Sequence, residues 1–497
     1  MNLAEIVEPH PSDAVALVSR GAPTTYAALR EQVAALRGGL ASLGIGADDR
    51  VAILCANNPT FVISYLAVLG LGAIAVPLNP LSPAPELERE VAAVGTVAVI
   101  VGPAARASWG EVDSAKVPSV RAVIATAGHP FDDATTFEDL LATAPVPIVS
   151  RESSDLAALL FTSGTAGSAK AAMLTHGNLL SNLQQIQQQP GRGVHADDVV
   201  LGVLPLFHIF GMNVVLGLAL YAGASVVLVE RFDPATALET IETRGVTVIS
   251  GAPPMWTAWA TLPQVSSSAF SSVRVASTGA SKMPEDLSRL FQSRFHLELL
   301  EGYGLTEASP VVTASPPGES RVGSIGLPLS GLTVRLVDQD GDDALEGDAG
   351  EVWVKGPNVF AGYWHDDEAT SRALTKDGWL RTGDVAVADD EGYLYLVDRA
   401  KDLIIVSGFN VFPGEVEDVI AEYPGVEEVA VVGSPHPSTG EAVKAFVVAA
   451  PGTSVDEEAI IEHCRRSLAR YKCPTKVMFV DELPKGWGGK VLRRVLR

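Results

Sequence analysis

The chain has 497 residues, and because a single hydrophobic core rarely grows beyond roughly 250–300 residues, we expect at least two domains. Hydrophobic residues make up 47% of the chain and charged residues 19%, a balance that excludes an intrinsically disordered protein. The net charge of −23 disfavours nucleic acid as a partner, although the end of the chain is locally basic through Lys485, Lys490, Arg493, Arg494 and Arg497.

The cysteines and the first residues of the chain indicate a cytoplasmic protein. Cys55, Cys464 and Cys473 are an odd, widely spaced set without a C-x-x-C pair, so they predict neither a disulfide framework nor a zinc site. Acidic residues follow Met1 closely, and no apolar segment of a signal peptide is apparent.

One stretch, residues 201–229, carries no Asp, Glu, Lys or Arg and is long enough to span a membrane. Pro205 and His208 interrupt its start, and Tyr221-Ala-Gly-Ala224 breaks it before a valine-rich run. We therefore predict a loop, a buried helix, a turn and a buried strand rather than a transmembrane helix. Peripheral contact of the basic tail with anionic lipid stays open.

In chain order, the first part of the sequence alternates helical spacing with short apolar strands. Helices are predicted at 26–43 and 58–70, and strands at 50–55, 73–77, 97–101, 122–125, 225–229 and 247–250. This alternation is typical of doubly wound α/β layers, so the predicted fold class is α/β. From Gly323 onward, strands at 334–338, 350–354 and 393–397 between Gly/Asp turns predict a smaller β-rich subdomain.

A domain boundary is predicted near residues 398–402. Beyond it, the pattern predicts a helix at 416–422, strands at 426–433 and 442–449, and a helix at 456–468. These elements make a compact α+β unit of about 100 residues. The expected architecture is a large N-terminal domain over 1–398 and a small C-terminal domain over 403–497, with the choice between monomer and homodimer left open.

The strongest local signal is a glycine- and hydroxyl-rich loop between an apolar strand and a lysine. Its glycines, Gly164 and Gly167, let backbone N–H groups approach phosphate oxygens. The loop also offers hydroxyl donors and a positive charge, from Thr162, Ser163, Thr165 and Lys170. It does not fit the Walker pattern, and taken alone an ordinary Ser/Gly turn explains it equally well.

Four further motifs follow this loop in order: Gly302-Tyr-Gly-Leu-Thr-Glu307, Trp379-Leu-Arg-Thr-Gly-Asp384, the segment 398–413, and Pro484-Lys-Gly-Trp-Gly-Gly-Lys-Val-Leu-Arg-Arg494. With them the sequence resembles the adenylate-forming superfamily of acyl-CoA synthetases, luciferases and peptide-synthetase adenylation domains over nearly its whole length. The resemblance implies an acid–thiol ligase that uses ATP, Mg²⁺ and coenzyme A. A carboxylic acid and ATP would give acyl-AMP and pyrophosphate, and a thiol would then attack the acyl-AMP.

The resemblance implies a role for several residues near the nucleotide. Thr306 would contact phosphate, and Glu307 would hold Mg²⁺, a hard cation that prefers carboxylate oxygens; without the resemblance Glu307 is an exposed loop acid. Asp384, in a predicted Thr-Gly-Asp turn, would accept hydrogen bonds from the ribose, with Arg399 beside the ribose or phosphate. Further residues expected at the nucleotide are Gly279, Ala280, Ser281, Gly302, Tyr303 and Gly304.

The C-terminal motifs imply a mobile domain. Lys490 would bridge the substrate carboxylate and the α-phosphate during adenylation. Its place in a basic tail also fits an ordinary solvated lysine. Lys401 matches the hinge position, within a hinge over 399–402. After rotation, Ser407, Gly408 and Phe409 would leave room for the pantetheine arm of coenzyme A.

Apart from its carboxylate, the acid is expected to carry no charge. His208, in Pro205-Leu-Phe-His-Ile-Phe-Gly211, would lie near the substrate carboxylate or gate the pocket, although a lone His is often a core residue. No acidic residue lies between 201 and 229 to pair an amino group, and pocket walls are expected from 251–256, 278–281 and 302. The C-terminal half looks most like bacterial medium- or long-chain fatty acyl-CoA ligases, and an aryl acid also fits.

Two alternatives stay open, because the chain departs from the family pattern at several positions. Ala166, Ala169 and Ala171 replace residues that are commonly Thr, Pro and Gly, and Gly-Trp-Gly-Gly before Lys490 is unusual. The three alanines are the support for a degenerate, nucleotide-binding paralogue. An acyl-AMP ligase that loads a carrier protein is disfavoured because no inserted segment is apparent between 323 and 398.

Overall fold

A computed structural model describes residues 1–162, 170–338, 340–345, 347–399, 402, 404–406, 409–436, 440–468, 470–485 and 491–497. The chain forms two compact units, and each is described by itself. The large unit comprises Met1–Val322, Gly326–Thr333 and Val354–Leu380, and the small unit comprises Gly323–Ile325, Val334–Trp353 and Arg381–Arg497.

The first sheet of the large unit is almost entirely parallel, with an antiparallel pair at one edge. Its central strands are buried along their whole length, because they read as continuous Val/Ile/Ala runs that can be covered on both faces. Its seven strands, in spatial order, are Thr135–Thr136, Ala122–Ala125, Ala98–Val101, Arg50–Leu54, Ile74–Pro77, Leu156–Thr162 and Lys170–Thr175.

The second sheet of the large unit has nine strands, parallel in the middle and antiparallel at both edges. The parallel strands end together at one edge, which is where open α/β sheets place their ligands. In spatial order the strands are Leu327–Pro328, Val311–Ala314, Leu299–Gly304, Val275–Thr278, Val248–Gly251, Val199–Gly202, Ser225–Leu228, Val15–Ser19 and Ala22–Thr25.

Side chains cap the starts of several helices. The first helix starts after Thr25, whose hydroxyl accepts a hydrogen bond from the Ala28 amide, and the second starts after Asn58, which accepts from Phe61. The α-helices are Tyr26–Ser42, Pro59–Gly70, Ala84–Ala93, Arg106–Gly110, Phe137–Leu140, His176–Gln187, Leu218–Ala222, Pro234–Arg244, Pro253–Thr261, Glu285–Leu290, Asp367–Ala373, Pro413–Ala421, Glu457–Ser467 and Arg493–Leu496.

The uncharged stretch 201–229 folds as predicted. The strand Val199–Gly202 leads into a loop, the π-helix Phe210–Gly217 continues into the α-helix Leu218–Ala222, and a turn at Gly223 precedes the strand Ser225–Leu228. Over the described residues, no helix is both long and apolar enough to cross a membrane.

The small unit contains two sheets. The first has four strands, in the order Thr333–Val337, Gly350–Lys355, Leu380–Ala388 and Leu394–Arg399. The second is built on the long antiparallel pair Val426–His436 and Gly440–Ala449, with further strands at Ile404–Val406, Phe409–Val411 and Lys476–Phe479. The predicted fold class, a large α/β part with β-rich elements and a small α+β part, is confirmed, whereas the division at 398 and the hinge over 399–402 stay predictions.

Candidate active site

The turn that carries Thr306 and Glu307 is tightly built. The strand Leu299–Gly304 ends there, and a 3₁₀ turn, Thr306–Ala308, follows. A Cβ atom at Gly304 would lie 2.2 Å from the carbonyl oxygen of Pro310, so the backbone passes at a distance that only glycine allows. Thr306 and Glu307 are both half-buried.

This turn is hydrogen-bonded to a segment that is distant in sequence, residues 357–364. We call this segment the strap. The Phe360 amide donates to the Glu307 carbonyl at 2.9 Å. On its other side, the strap pairs with the strand Lys170–Thr175: the Met173 amide donates to the Gly362 carbonyl at 2.9 Å. The strap therefore ties the strand that begins with Lys170 to the turn that carries Glu307.

The strap also brings the two charged residues to one tyrosine. The Tyr363 hydroxyl donates a 2.7 Å hydrogen bond to Glu307 Oε1, and Lys170 Nζ lies 5.2 Å from the centroid of the Tyr363 ring. Burial, together with the neighbouring Glu307 carboxylate, raises the pKa of the Tyr363 hydroxyl far above its usual range, so it stays protonated and donates. Lys170 and Glu307 were predicted separately, but Tyr363 was missed.

The described ends of the predicted phosphate loop are partners across two antiparallel strands. Thr162 closes one strand and Lys170 opens the next, and the two are paired in the register. Ala171 lies buried inside the second strand, where it pairs with Phe161 and accepts a hydrogen bond from Trp364. A strand position needs no glycine, so this departure from the family pattern is compatible with the fold.

The predicted walls of the acid pocket come together at the ends of parallel strands. The Gly279 amide donates to the Gly251 carbonyl at 3.2 Å. A Cβ atom at Gly279 would lie 3.4 Å from the Gly302 carbonyl oxygen and 3.4 Å from Phe210 Cε1. Gly279 therefore lies between the backbone of the neighbouring strands and one phenylalanine ring of the His208 motif.

Three further residues were predicted beside these strands, and two of them, Ala280 and Ser281, follow the strand Val275–Thr278. Ala280 adopts a left-handed φ of 72°, and both Ala280 and Ser281 are exposed. Tyr303 lies within the strand Leu299–Gly304, opposite Thr313 in the register.

His208 is held as a neutral imidazole. Burial lowers its pKa to about 4, so the ring carries no charge at neutral pH. Its Nδ1 accepts a hydrogen bond from the Phe210 amide at 3.2 Å, which leaves the ring hydrogen on Nε2. His208 can therefore donate a hydrogen bond to a carboxylate, but it does not supply a cation.

In the small unit, Asp384 is nearly buried and lies in the strand Leu380–Ala388, where its residue pairs with Arg399. The predicted Thr-Gly-Asp turn was wrong as a description of the backbone. Gly383 has a φ of 71° and the register shifts after Val385, so the strand bends locally without ending. The turn signal reflected this bend inside an otherwise continuous strand.

Several predicted site residues cannot be placed. Lying outside the described residues are Ser163, Gly164, Thr165, Ala166, Gly167 and Ala169 of the loop, Lys401, Ser407 and Gly408, and Lys490 with the Gly-Trp-Gly-Gly before it. For Arg399 and Phe409 the backbone strands are described and the side chains are not. Their predicted roles stay predictions.

Several of the basic side chains near the end of the chain are paired with acids. Arg493 Nη2 lies 2.6 Å from Glu417 Oε2, and Arg497 Nη2 lies 3.3 Å from Asp402 Oδ1. Lys485 pairs with Glu428. Lys485, Arg493 and Arg497 of the predicted basic patch therefore have acidic partners within the small unit, and peripheral lipid contact stays a prediction.

The chemistry of Glu307 fits a magnesium ion. Mg²⁺ keeps several of its waters and commonly binds through one or two carboxylates together with substrate phosphates. Within the described ranges, no group of three or more His, Cys, Asp and Glu residues could hold a metal ion, so no all-protein cage is available there. A single carboxylate beside a nucleotide phosphate is the binding mode that these residues support.

Comparison with known proteins places this geometry in context. Residues 3–364 match the family model of the AMP-binding enzymes, and residues 415–490 match that of the AMP-binding enzyme C-terminal domain. The chain is 36% identical to a feruloyl-CoA synthase of Amycolatopsis over 99% of this chain and 96% of that protein. It is also 36% identical to a long-chain-fatty-acid–CoA ligase of Salmonella typhimurium, over 98% of this chain and 92% of that protein. Among solved structures, ATP-bound MatB from Rhodopseudomonas palustris superposes with a TM-score of 0.91 at 33% identity, covering 100% of this chain and 98% of that one.

Proposed function

Because the chain is an acyl-CoA ligase of the AMP-binding enzyme family, we propose that it activates a medium- or long-chain fatty acid through an acyl-adenylate. In the first half-reaction the acid's carboxylate oxygen attacks the α-phosphorus of ATP, and pyrophosphate leaves. In the second, the thiol of coenzyme A attacks the acyl carbon, AMP leaves, and the thiol proton is released to solvent.

The observation that carries the proposal is the meeting of Glu307 and Lys170 on Tyr363. The first step brings two anions together, so it requires positive charge beside the phosphates. Lys170 supplies an ammonium next to the predicted phosphate loop, and Glu307 supplies a carboxylate for a metal ion. Bound there with the nucleotide, Mg²⁺ would neutralise phosphate charge as a Lewis acid.

The glycines at or near the ends of parallel strands, Gly251, Gly279 and Gly302, favour a substrate that is apolar and carries no charge apart from its carboxylate. The Phe210 ring lies against Gly279, and the neutral His208 of the same motif offers a hydrogen bond without a charge. A second charged group on the substrate would have no partner in the stretch 201–229.

An aryl acid is the second candidate. A relative named as a feruloyl-CoA synthase is as similar to this chain as one named as a long-chain-fatty-acid–CoA ligase, at 36% identity each. The Phe210 ring beside Gly279 could also stack on an aromatic substrate.

The remaining roles rest on the resemblance of the C-terminal motifs. Lys490 would act in adenylation, and Asp384 and Arg399 would bind the ribose. Rotation about a hinge at Lys401 would then bring Ser407, Gly408 and Phe409 to coenzyme A, so that one site serves both half-reactions.

The test is to incubate the purified protein with ATP, Mg²⁺, coenzyme A and a panel of short- to long-chain alkyl and aryl acids, and to identify products by mass spectrometry. Alkyl-CoA products of medium or long chain would establish the proposal, and aryl-CoA products would establish the second candidate. Acyl-AMP without thioester would point to a carrier-protein acceptor, and the absence of both products would favour a degenerate paralogue.

A further inference from the structure

We propose that Tyr363 is a positioning residue for the metal–nucleotide complex, because its hydroxyl fixes the Glu307 carboxylate in the orientation that receives the divalent cation. This inference rests on the proposed function, in which Glu307 is the metal-binding carboxylate. It adds a residue that acts through Glu307 and that no motif of the sequence analysis contained.

The hydrogen bond itself selects one carboxylate oxygen. Tyr363 donates to Glu307 Oε1 at 2.7 Å, a short bond to a charged acceptor and therefore one of the stronger kinds in proteins. With Oε1 engaged, the carboxylate would meet a cation through Oε2, which suits the monodentate coordination common for Mg²⁺. Without the bond, the side chain of Glu307 would be free to rotate, and ordering it would reduce metal affinity.

Tyr363 can impose this orientation because it is itself held firmly. Its amide donates to Thr370 Oγ1 at 2.9 Å, and its residue pairs with Ala172 in an antiparallel bridge. The Phe360 ring packs against the Tyr363 ring edge to face, with centroids 4.9 Å apart. The hydroxyl is thus presented by backbone and ring contacts on three sides.

The ring and the hydroxyl of Tyr363 have separable functions. The ring faces Lys170 Nζ at 5.2 Å, a cation–π distance, whereas the hydroxyl reaches Glu307. Substitution Tyr363→Phe removes only the hydroxyl and keeps the ring, so it tests the bond to Glu307 without disturbing Lys170. The buried Tyr26 is a matched control, since its hydroxyl donates a 2.8 Å bond to the Ala224 carbonyl and neither residue is a predicted site residue.

The experiment measures metal–nucleotide binding directly, with Mn²⁺ as a spectroscopic substitute for Mg²⁺. Calorimetry and electron paramagnetic resonance would give the Kd of Mn²⁺–ATP and, in EDTA, the Kd of metal-free ATP. For Tyr363→Phe we expect Mn²⁺–ATP to bind about 10-fold more weakly, as is usual when a group that orients a metal ligand is lost. Metal-free ATP should bind as in the wild type, and Tyr26→Phe should leave both Kd values unchanged.

A double-mutant cycle with Glu307→Gln tests whether Tyr363 acts through Glu307. In the Glu307→Gln background, removing the hydroxyl should change the Kd of Mn²⁺–ATP by less than 2-fold. Unchanged Mn²⁺–ATP binding in Tyr363→Phe, or equal weakening of metal-free ATP, would overturn the inference alone. Wild-type protein that binds no Mn²⁺–ATP would overturn the proposed function and the inference with it.

Discussion

Two sets of polar contacts, one within each unit, differ in kind. In the large unit, buried amide side chains bind backbone groups: Asn182 both donates to and accepts from Val311, and Asn178 donates to the strap carbonyls of Pro357 and Val359. In the small unit, partly exposed ion pairs connect distant segments: Arg493 binds Glu417, and Lys472 binds Glu415.

This difference suits the roles predicted for the two regions, phosphate binding and domain rotation. Buried neutral hydrogen bonds are insensitive to salt, and an orphaned partner costs about 1–3 kcal/mol, so they favour one fixed arrangement. Ion pairs near the surface are weaker, screened by salt and easily exchanged for water. The contacts of Asn178 and Asn182 thus favour one fixed arrangement of the strap and Val311, whereas the ion pairs of Arg493 and Lys472, inside the predicted mobile domain 403–497, tolerate rearrangement.

The largest expected effect separates the two half-reactions. Lys490→Ala should reduce acid-dependent exchange of pyrophosphate with ATP by roughly 10²–10³-fold, because one cation is lost at the developing charge. Thioester formation from synthetic acyl-AMP should be largely retained, since that step would use the other orientation of the small unit. Lys485→Ala is the control, because Lys485 pairs with Glu428 and should affect neither reaction. Equal loss of both half-reactions would refute the role given to Lys490.

The second effect concerns the rigidity of the strap. Gly362 has a φ of 116°, and a Cβ atom there would lie 2.6 Å from Thr370 Cγ2. Gly362→Ala should therefore lower the free energy of unfolding by about 3 kcal/mol, from backbone strain and overpacking together. It should also displace Tyr363, so adenylation should fall even in the folded fraction.

Gly378 is a matched control that separates the steric clash at Gly362 from the backbone strain of a positive φ. Gly378 also has a positive φ, of 87°, and the nearest atom to a Cβ there is Lys355 Cε at 3.8 Å. Gly378→Ala should cost about 1 kcal/mol, from the left-handed backbone alone, and should leave adenylation unchanged. Equal thermal shifts and equal rates for the two variants would show that the strap is not held as tightly as its contacts indicate.

Local sequence signals predicted the elements well and their distant partners poorly. The helix Tyr26–Ser42 and the strand Ala122–Ala125 were predicted within one residue, because caps and apolar runs act over a few positions. Tyr363 was missed because its partner Glu307 lies 56 residues earlier, and nothing beside Tyr363 in the sequence indicates that contact. The pairing of Arg493 with Glu417 was not predicted for the same reason, since 76 residues separate the two.

The third effect is a pH dependence of the large unit. His176 is fully buried at the start of a helix, and its Nδ1 accepts a hydrogen bond from the Leu3 amide at 3.0 Å. Burial, with a smaller contribution from the Arg151 charge, lowers its pKa to about 4. The folded protein therefore binds fewer protons than the unfolded chain between pH 6.5 and 4, and its stability falls as the pH falls through this window.

The expected loss from His176 is about 2 kcal/mol between pH 7 and pH 5. His176→Gln keeps an acceptor for Leu3 and removes the titration, so its thermal midpoint should fall less over this range than that of the wild type. His195→Gln, at an exposed position, should follow the wild type. Parallel pH profiles for all three proteins would show that His176 does not govern acid stability.

The smallest effect distinguishes the two kinds of contact by salt. Arg493 pairs with the partly exposed Glu417 and, at a longer distance, with the buried Asp402, so Arg493→Met should lower stability by about 1 kcal/mol at low ionic strength. Raising the salt to about 1 M shortens the Debye length to roughly 3 Å, so the difference from the wild type should shrink. Asn182→Ala, which removes the two hydrogen bonds to Val311 in the large unit, should cost the same at both salt concentrations. If salt changed the loss of stability equally for both variants in thermal unfolding, the contrast between the two sets of contacts would have no energetic basis. Domain alternation would then need another explanation.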